Sequence, residues 1–250
     1  SYGAALARRY SWFDADRVRV LPFGAAPADF AVADRHRPAA PLIDFDDGNL
    51  YHVYTGRGGP DMREALTVLF RALRKYRTTH PAEAARLRFH FIGTGYAPPP
   101  LGEDTVRPVA EAEGVADMVR EHRYRVPYFD ALYYLRRAQA IMAIGSNDPS
   151  YSASKIFPCL LARRPLLLIF HEESLVLKLA EQLGAGIPFA FSAAPNLDAV
   201  AERVHAGWFA GGGYTRPARL DERAFAPHTA AAMTAALAEV FEAAVAATHC

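Results

Sequence analysis

The spacing of apolar positions changes period along this chain, and the changes predict its elements. Six short apolar runs read as strands: Leu50–Thr55, Leu87–Ile92, Met118–Glu121, Ala138–Ile144, Leu166–Phe170 and Ile187–Phe191. Helical spacing fills the gaps between them. It runs over Asp61–Tyr76, where Leu66, Leu69, Phe70 and Leu73 recur and Asp61 stands as cap or first-turn residue. Further helical stretches cover Asp104–Glu113, Phe129–Arg137, Lys155 to Arg163 or Arg164, Glu172–Leu183 and Leu197–Ala206. Strands alternating with helices of this length imply βαβ crossovers, hence an α/β fold with a Rossmann-like doubly wound, mainly parallel sheet.

The flanks are less regular. Tyr2–Tyr10 reads as a short helix, and Val18–Leu21 as a strand stopping at Pro22. Leu21–Phe30 is turn-rich, and Ala31–Pro41 mixes Pro, Arg and Ala without periodicity, as an interdomain linker or an ordinary surface loop does. At the other end, Gly211–Tyr214 with Pro217 reads as a hinge or loop. Thr229–Thr248 reads as an Ala-rich helix with Leu237, Val240, Phe241 and Val245 on one side. The organisation expected is residues 1–41 as the remnant of an N-terminal domain plus linker, 42–210 as the Rossmann-like domain, and 211–250 as hinge loop and C-terminal helix. Ser1 is not an initiating methionine, so the chain is expected to begin inside a longer protein.

In a doubly wound sheet ligands bind beyond the carboxyl ends of the strands, where the strand order reverses. The Gly-containing turns after Thr55, Ile92 and Ile144 belong to that rim, and they bring Arg57, Thr94, Ser146 and Lys155 with them. Asn147–Ser154 is a loop of Ser, Tyr and small residues opening onto the helix near Lys155. Free backbone N–H groups, hydroxyls and one cation at a helix start suit anion capture, with a bound diphosphate as the working hypothesis. The same stretch also reads as a Ser152 or Ser154 cap beside a solvated lysine, and in isolation caps are the commoner case.

Composition narrows the chemistry. The chain has 250 residues, 51% of them hydrophobic, which predicts a sizeable core. With 28 basic and 27 acidic residues the formal charge is +1, so no global field draws in nucleic acid or an anionic membrane, and any anion site is local. Two cysteines, Cys159 and Cys250, have no metal-ligand or disulfide spacing and fit a reducing, cytoplasmic setting. No apolar run approaches the roughly 20 residues of a membrane-spanning helix, and no signal-peptide pattern opens the chain. Gly93, Thr94 and Gly95 match the start of a dinucleotide fingerprint, but no third glycine opens a helix and Pro98–Pro100 break the pattern. No Walker loop, G-x-S-x-G elbow or paired metal-binding histidines are present. Of nine histidines, His52 and His90 read as sheet residues, and His171, after a strand, is the one pocket candidate.

Several motifs together carry a family resemblance. YTGRGG with Arg57, the FHFIGTG strand and turn, the stretch HRYRVPYFDALYYLRRAQAIMAIGS, and SKIFPCLLARRPLLL occur in the order seen in GT-B glycosyltransferases. The chain resembles their C-terminal nucleotide-sugar-binding half, nearest the large retaining group related to glycogen and sucrose synthases, over most of Leu50–Ala206. LPFGAAPADF resembles the junction that follows the N-terminal domain of that family. The resemblance implies a UDP- or GDP-type sugar donor, an acceptor glycan, lipid or small molecule, no separate cofactor and no required metal. It places the donor diphosphate on Arg57, Tyr151, Ser152, Ser154 and Lys155, and the nucleotide on Gly93, Thr94, Gly95, Arg125, Val126 and Pro127. It assigns no catalytic residue here, because acceptor and base belong largely to the N-terminal domain; this piece alone is expected to bind donor with little turnover. The terminal helix is expected either to cross back to that domain or to close its own layer.

Two positions depart from the family pattern. The glutamate that holds ribose in many members falls at Pro158, and the earlier glutamate at Ser150 or Tyr151; where the family places a lysine beyond the arginine, Arg63 is the only cation nearby, either its replacement or a solvent-facing residue. A non-catalytic Rossmann-like binding module derived from a glycosyltransferase is therefore the alternative reading, with a GT-B epimerase as a third.

Overall fold

The structure is a computed structural model describing residues 2–14 and 18–248; Cys250 lies outside the described residues. It divides into two compact units, Pro27–Phe225 and the paired chain ends Ser1–Ala26 with Ala226–Cys250. In chain order the elements begin with α1 (Tyr2–Arg9), α2 (Pro27–Ala33), β1 (Leu50–Thr55), α3 (Arg63–Thr79), α4 (Pro81–Ala84) and β2 (Leu87–Ile92). There follow α5 (Arg107–Ala112), β3 (Val119–His122), α6 (Tyr128–Arg137), β4 (Ala140–Ile144), α7 (Ile156–Leu161), β5 (Leu166–His171) and α8 (Leu175–Gln182). The last are β6 (Ile187–Phe191), α9 (Leu197–Val204), α10 (Glu222–Phe225) and α11 (Ala230–Thr248).

All six strands pair in parallel in one sheet, in the order β3-β2-β1-β4-β5-β6. The expected α/β Rossmann-like fold is present. The order reverses between β1 and β4, which is the switch point of this topology. Burial explains the sequence pattern: every residue of β4 and β5 is buried, and so are the four inner residues of β1. Central parallel strands covered on both faces need continuous apolar runs, whereas edge strands β3 and β6 keep half-exposed positions. Tyr54, Phe89, Phe91, Met142, Ile144, Leu167 and Ile169 lie at alternate strand positions and share one core with α3, α5 and α9. Val53, Ile141, Leu168 and Phe170 are equally buried at the intervening positions.

Some boundaries moved. Asp61 does not cap α3, because a short 3₁₀ turn, Pro60–Met62, precedes the helix and the Asp61 carboxylate is held by Arg57 instead. The helix after Lys155 ends at Leu161, earlier than Arg163 or Arg164, because Arg163 adopts a left-handed φ of 56° just before Pro165. No Ser152 or Ser154 side-chain cap forms on it. The turn-rich reading of Leu21–Phe30 and the loop reading of Ala31–Pro41 both give way where α2 forms; Phe30 and Ala33 are buried on that helix, which packs on α6. Packing of two apolar positions outweighs the local breakers there.

In the other unit, Val18–Leu21 is not a strand, since Val20 and Leu21 are exposed and have no ladder partner. The β-pairing here is one parallel bridge, Ala25 to Thr229, with hydrogen bonds from Ala25 N–H to the His228 carbonyl (3.2 Å) and from Ala230 N–H to the Ala25 carbonyl (3.0 Å). The bridge sits at the entry to α11, close to the predicted helix. Among the described residues no helix is long and apolar enough to cross a membrane.

His52 and His90 are core residues. His52 stacks on Phe89 (4.7 Å between centroids), and burial holds its pKa down to about 4. His90 lies with its Nδ1 3.0 Å from Nε2 of His122; burial first, then the neighbouring His122, holds its pKa down to about 3. Both are neutral in the fold, whereas in the unfolded chain each takes up a proton near pH 6.5. Stability is therefore complete above that pH and is lost as pH falls toward the folded-state values. Urea unfolding at pH 5 is expected to show a loss of about 2 kcal/mol per histidine relative to pH 7.5.

Candidate functional site

The site is built on the turns after β1 and β4, on the two sides of the switch point. Gly56 has a φ of 141°, and a Cβ there would come within 2.9 Å of Lys155 Cδ, so the glycine lets the lysine stem cross the end of β1. Gly145 has the same function after β4, where a Cβ would stand 2.4 Å from the Phe170 ring. The two turns are tied together by Asn147 N–H donating to the Asp61 carbonyl at 2.8 Å. The turn after β2 joins them through Gly58 N–H to the Thr94 carbonyl, also 2.8 Å.

Tyr54, the fully buried penultimate residue of β1, organises the charged groups. Its hydroxyl donates to the Arg57 carbonyl at 2.6 Å and accepts from Lys155 Nζ, which also lies 3.9 Å from the Tyr54 ring centroid. Cation and ring attract through the ring quadrupole, and burial makes that attraction count. Burial also disfavours the charged amine: it pushes the Lys155 pKa down to about 7, with Arg57 and Arg125 adding repulsion against the opposing pull of Asp61. Arg57 stands over the Tyr151 ring at 4.8 Å and forms a fork-on-fork pair with Asp61, at 2.9 and 2.5 Å. That pair holds the Asp61 carboxyl down at about 2, with Ser146 helping. Burial raises the Tyr151 phenol.

Of the residues expected to hold diphosphate, the structure thus gathers Arg57, Tyr151 and Lys155 around Tyr54. Ser152 and Ser154 are exposed on the loop before α7. The expected nucleotide residues form a second group. Gly93 N–H donates to the His122 carbonyl (2.7 Å) and Gly95 N–H to the Arg123 carbonyl (2.8 Å), so the β2 and β3 turns run side by side. Arg125 lies against Gly93 and over the Tyr96 ring at 4.5 Å; Val126 is half-buried and Pro127 exposed at the start of α6.

Thr94 faces away from this group. Its hydroxyl donates to Glu121 at 2.6 Å, and that carboxylate also accepts the N–H groups of Thr105 (3.0 Å), Val106 (2.9 Å) and Arg107 (2.8 Å). Glu121 is a cap on α5 supplied by a neighbouring strand, and Thr94 is bound to it. His171 is buried too, with Nδ1 accepting the Glu173 N–H at 3.2 Å and the ring edge-on to Phe191, so it holds its own turn. Arg63 is exposed on the first turn of α3. Among the described residues no three His, Cys, Asp or Glu side chains gather as metal ligands.

Sequence reasoning missed Tyr54, Asp61, Tyr96 and Glu121. Tyr54 and Glu121 had no distinguishing signal, being a strand aromatic whose cation partner and a strand-end carboxylate whose donors are remote in sequence. Asp61 had one: it lies four residues after Arg57.

No protein-family model matches this chain, and no curated protein does. Solved structures do. A UDP-forming α,α-trehalose-phosphate synthase from Burkholderia xenovorans is 15% identical over 88% of this chain and 51% of that one, with a TM-score of 0.55. WaaG, a glycosyltransferase involved in lipopolysaccharide biosynthesis, is 12% identical over 85% and 52%, with a TM-score of 0.57. A glycosyltransferase from Rickettsia africae is 12% identical over 96% and 60%, with a TM-score of 0.60. The likeness is one of fold, and the chain spans half to three-fifths of the length of these structures.

Because three N–H groups at the entry to α5 and the buried Thr94 hydroxyl converge on one carboxylate, Glu121→Ala leaves these donors unmatched. A loss of about 1 to 3 kcal/mol is expected, read as a thermal midpoint lower by roughly 2 to 12 °C.

Proposed function

We propose that this chain, which has the fold of one Rossmann-like half of a GT-B glycosyltransferase, is the donor-binding half of such an enzyme and holds a UDP- or GDP-type nucleotide sugar for transfer to an acceptor. The observation that supports it most is the cluster of Arg57, Tyr151 and Lys155 around Tyr54 at the sheet's switch point. Breaking the bond between anomeric carbon and phosphate leaves a diphosphate with growing negative charge. Fixed cations beside that leaving group lower the barrier, and loss of one such donor typically costs roughly 3 to 4 kcal/mol. Lys155 supplies a cation whose charge is completed by the anion it meets. Arg57, already paired with Asp61, shares its fork and fixes the loop. Ser152 and Ser154 offer hydroxyls on the same loop, and Arg125 with Tyr96 offers a stacking surface for the base beside Gly93, Gly95, Val126 and Pro127. The resemblance to the retaining group supports transfer with retention of anomeric configuration. Acceptor and catalytic base come from a second domain, so donor binding is the activity to assay.

One observation favours the alternative of a non-catalytic module: Pro158, at the usual ribose glutamate position, lies within α7 and has no side-chain acceptor. Calorimetry with UDP, GDP and their sugar conjugates separates the readings. Donor binding is expected, weakened roughly tenfold to a hundredfold by Lys155→Ala or Arg57→Ala, the range for a lost charge-assisted bond. No binding by any of these nucleotides would sink the enzyme reading.

The lysine adds a proton signature. With its pKa near 7 in the free protein, Lys155 is largely neutral at pH 8 and must be protonated beside a diphosphate. Titrations in buffers of different ionisation enthalpy are expected to show uptake of up to about one proton at pH 8, shrinking toward pH 6 and absent in Lys155→Ala. Affinity falls correspondingly as pH rises above 7.

A further inference from the structure

On the opposite rim, where β5 and β6 begin, a cavity of about 390 Å³ opens between Leu166, Ile187 and the segment Gly213–Arg219. Three arginines line it, Arg164, Arg216 and Arg219, and no Asp or Glu does. Its volume lies in the range of small-molecule sites. We propose that this cavity binds a phosphate monoester of a small organic molecule, the phosphate against the arginines and the carbon skeleton against Leu160, Leu166 and Ile187.

Arg164 is set by the backbone: its Nε donates to the Arg136 carbonyl at 2.7 Å, which fixes the guanidinium plane. Arg216 is likewise anchored, donating to the Gly211 carbonyl at 3.1 Å. Neither these two nor Arg219 pairs with a carboxylate among the described residues, whereas Arg136, Arg137 and Arg163 each do. Arg136 pairs with Asp34, Arg137 with Asp46 and Arg163 with Glu222, while Asp221 is occupied by the N–H groups of Arg223 (2.9 Å) and Ala224 (3.0 Å). The acids closest in sequence are therefore committed elsewhere. Burial, then Arg136 and Arg137, lower the Arg164 pKa, as expected for a cation facing others with no counter-charge. Planar guanidinium forks match the oxygens of a phosphate. A bare ion would leave the apolar floor uncovered, which favours an organic ester.

The test is calorimetric titration of the full chain with a hexose 6-phosphate, the free hexose and inorganic phosphate. Saturable binding of the hexose phosphate is expected, tighter than that of inorganic phosphate, with no response to the free hexose. Arg219→Gln and Ala218→Glu, the second placing a carboxylate among the arginines, are each expected to weaken it by roughly tenfold or more. The thermal midpoint without ligand confirms that both variants fold. Absence of hexose phosphate binding, equal binding of free hexose or of inorganic phosphate, or wild-type affinity in both variants would overturn the assignment. UDP titrations of the same variants read the other rim separately, so failure of one site is distinguishable from failure of the other.

Discussion

Burying a parallel sheet on both faces is the constraint on which this molecule depends. A strand pair that runs parallel cannot be joined by a tight turn, so each crossover carries a helix back across the sheet. Every βα turn then falls on one rim and every αβ turn on the other. The central strands β1, β4 and β5 become almost wholly apolar as a consequence, and chemistry is confined to the rims. Where the strand order reverses between β1 and β4, the two flanking turns meet on the carboxyl-end rim, the rim where ligands bind in sheets of this topology.

At that point the protein places charge against low dielectric. Lys155 lies along Gly56 onto the face and hydroxyl of Tyr54, in a setting that makes the amine easy to deprotonate. Arg57, only two positions from the end of β1, is instead neutralised by Asp61. The two cations thus differ in kind: one has its counter-ion built in, and the other lacks one. Under the proposed donor-binding reading, affinity at the switch point follows protonation of that single amine.

The two rims repeat the same logic with different parts. On the carboxyl-end rim a cation is left incompletely compensated beside an aromatic ring. On the amino-end rim three arginines face a cavity whose nearby acids in the chain are paired elsewhere. Lys155 is held by the ring and hydroxyl of Tyr54, and Arg164 and Arg216 by backbone carbonyls, none of them by a carboxylate among the described residues.

Much of this was legible in the residue pattern. Leu50–Thr55, Leu87–Ile92 and Ile187–Phe191 were bounded correctly because apolar runs of strand length end at glycine or at polar turns. The rim carrying Arg57 and Lys155 followed from the alternation of strands and helices alone. Val18–Leu21 misled, since an apolar run becomes a strand only if an edge is free to pair with it, and α2 was hidden because its stability lies in packing on α6. Asp61 as counter-ion was within reach, four residues after Arg57, whereas Glu121 as the cap of α5 and Thr94 as its partner were not, because they join residues that only the crossovers bring side by side. The sequence by itself determined the six strands, most of the helices between them, the class of fold and the rim that carries Arg57 and Lys155, all of which depend on periodicity within short windows. The tertiary structure alone decided which charges are matched and which are left open, because that depends on distances between remote segments.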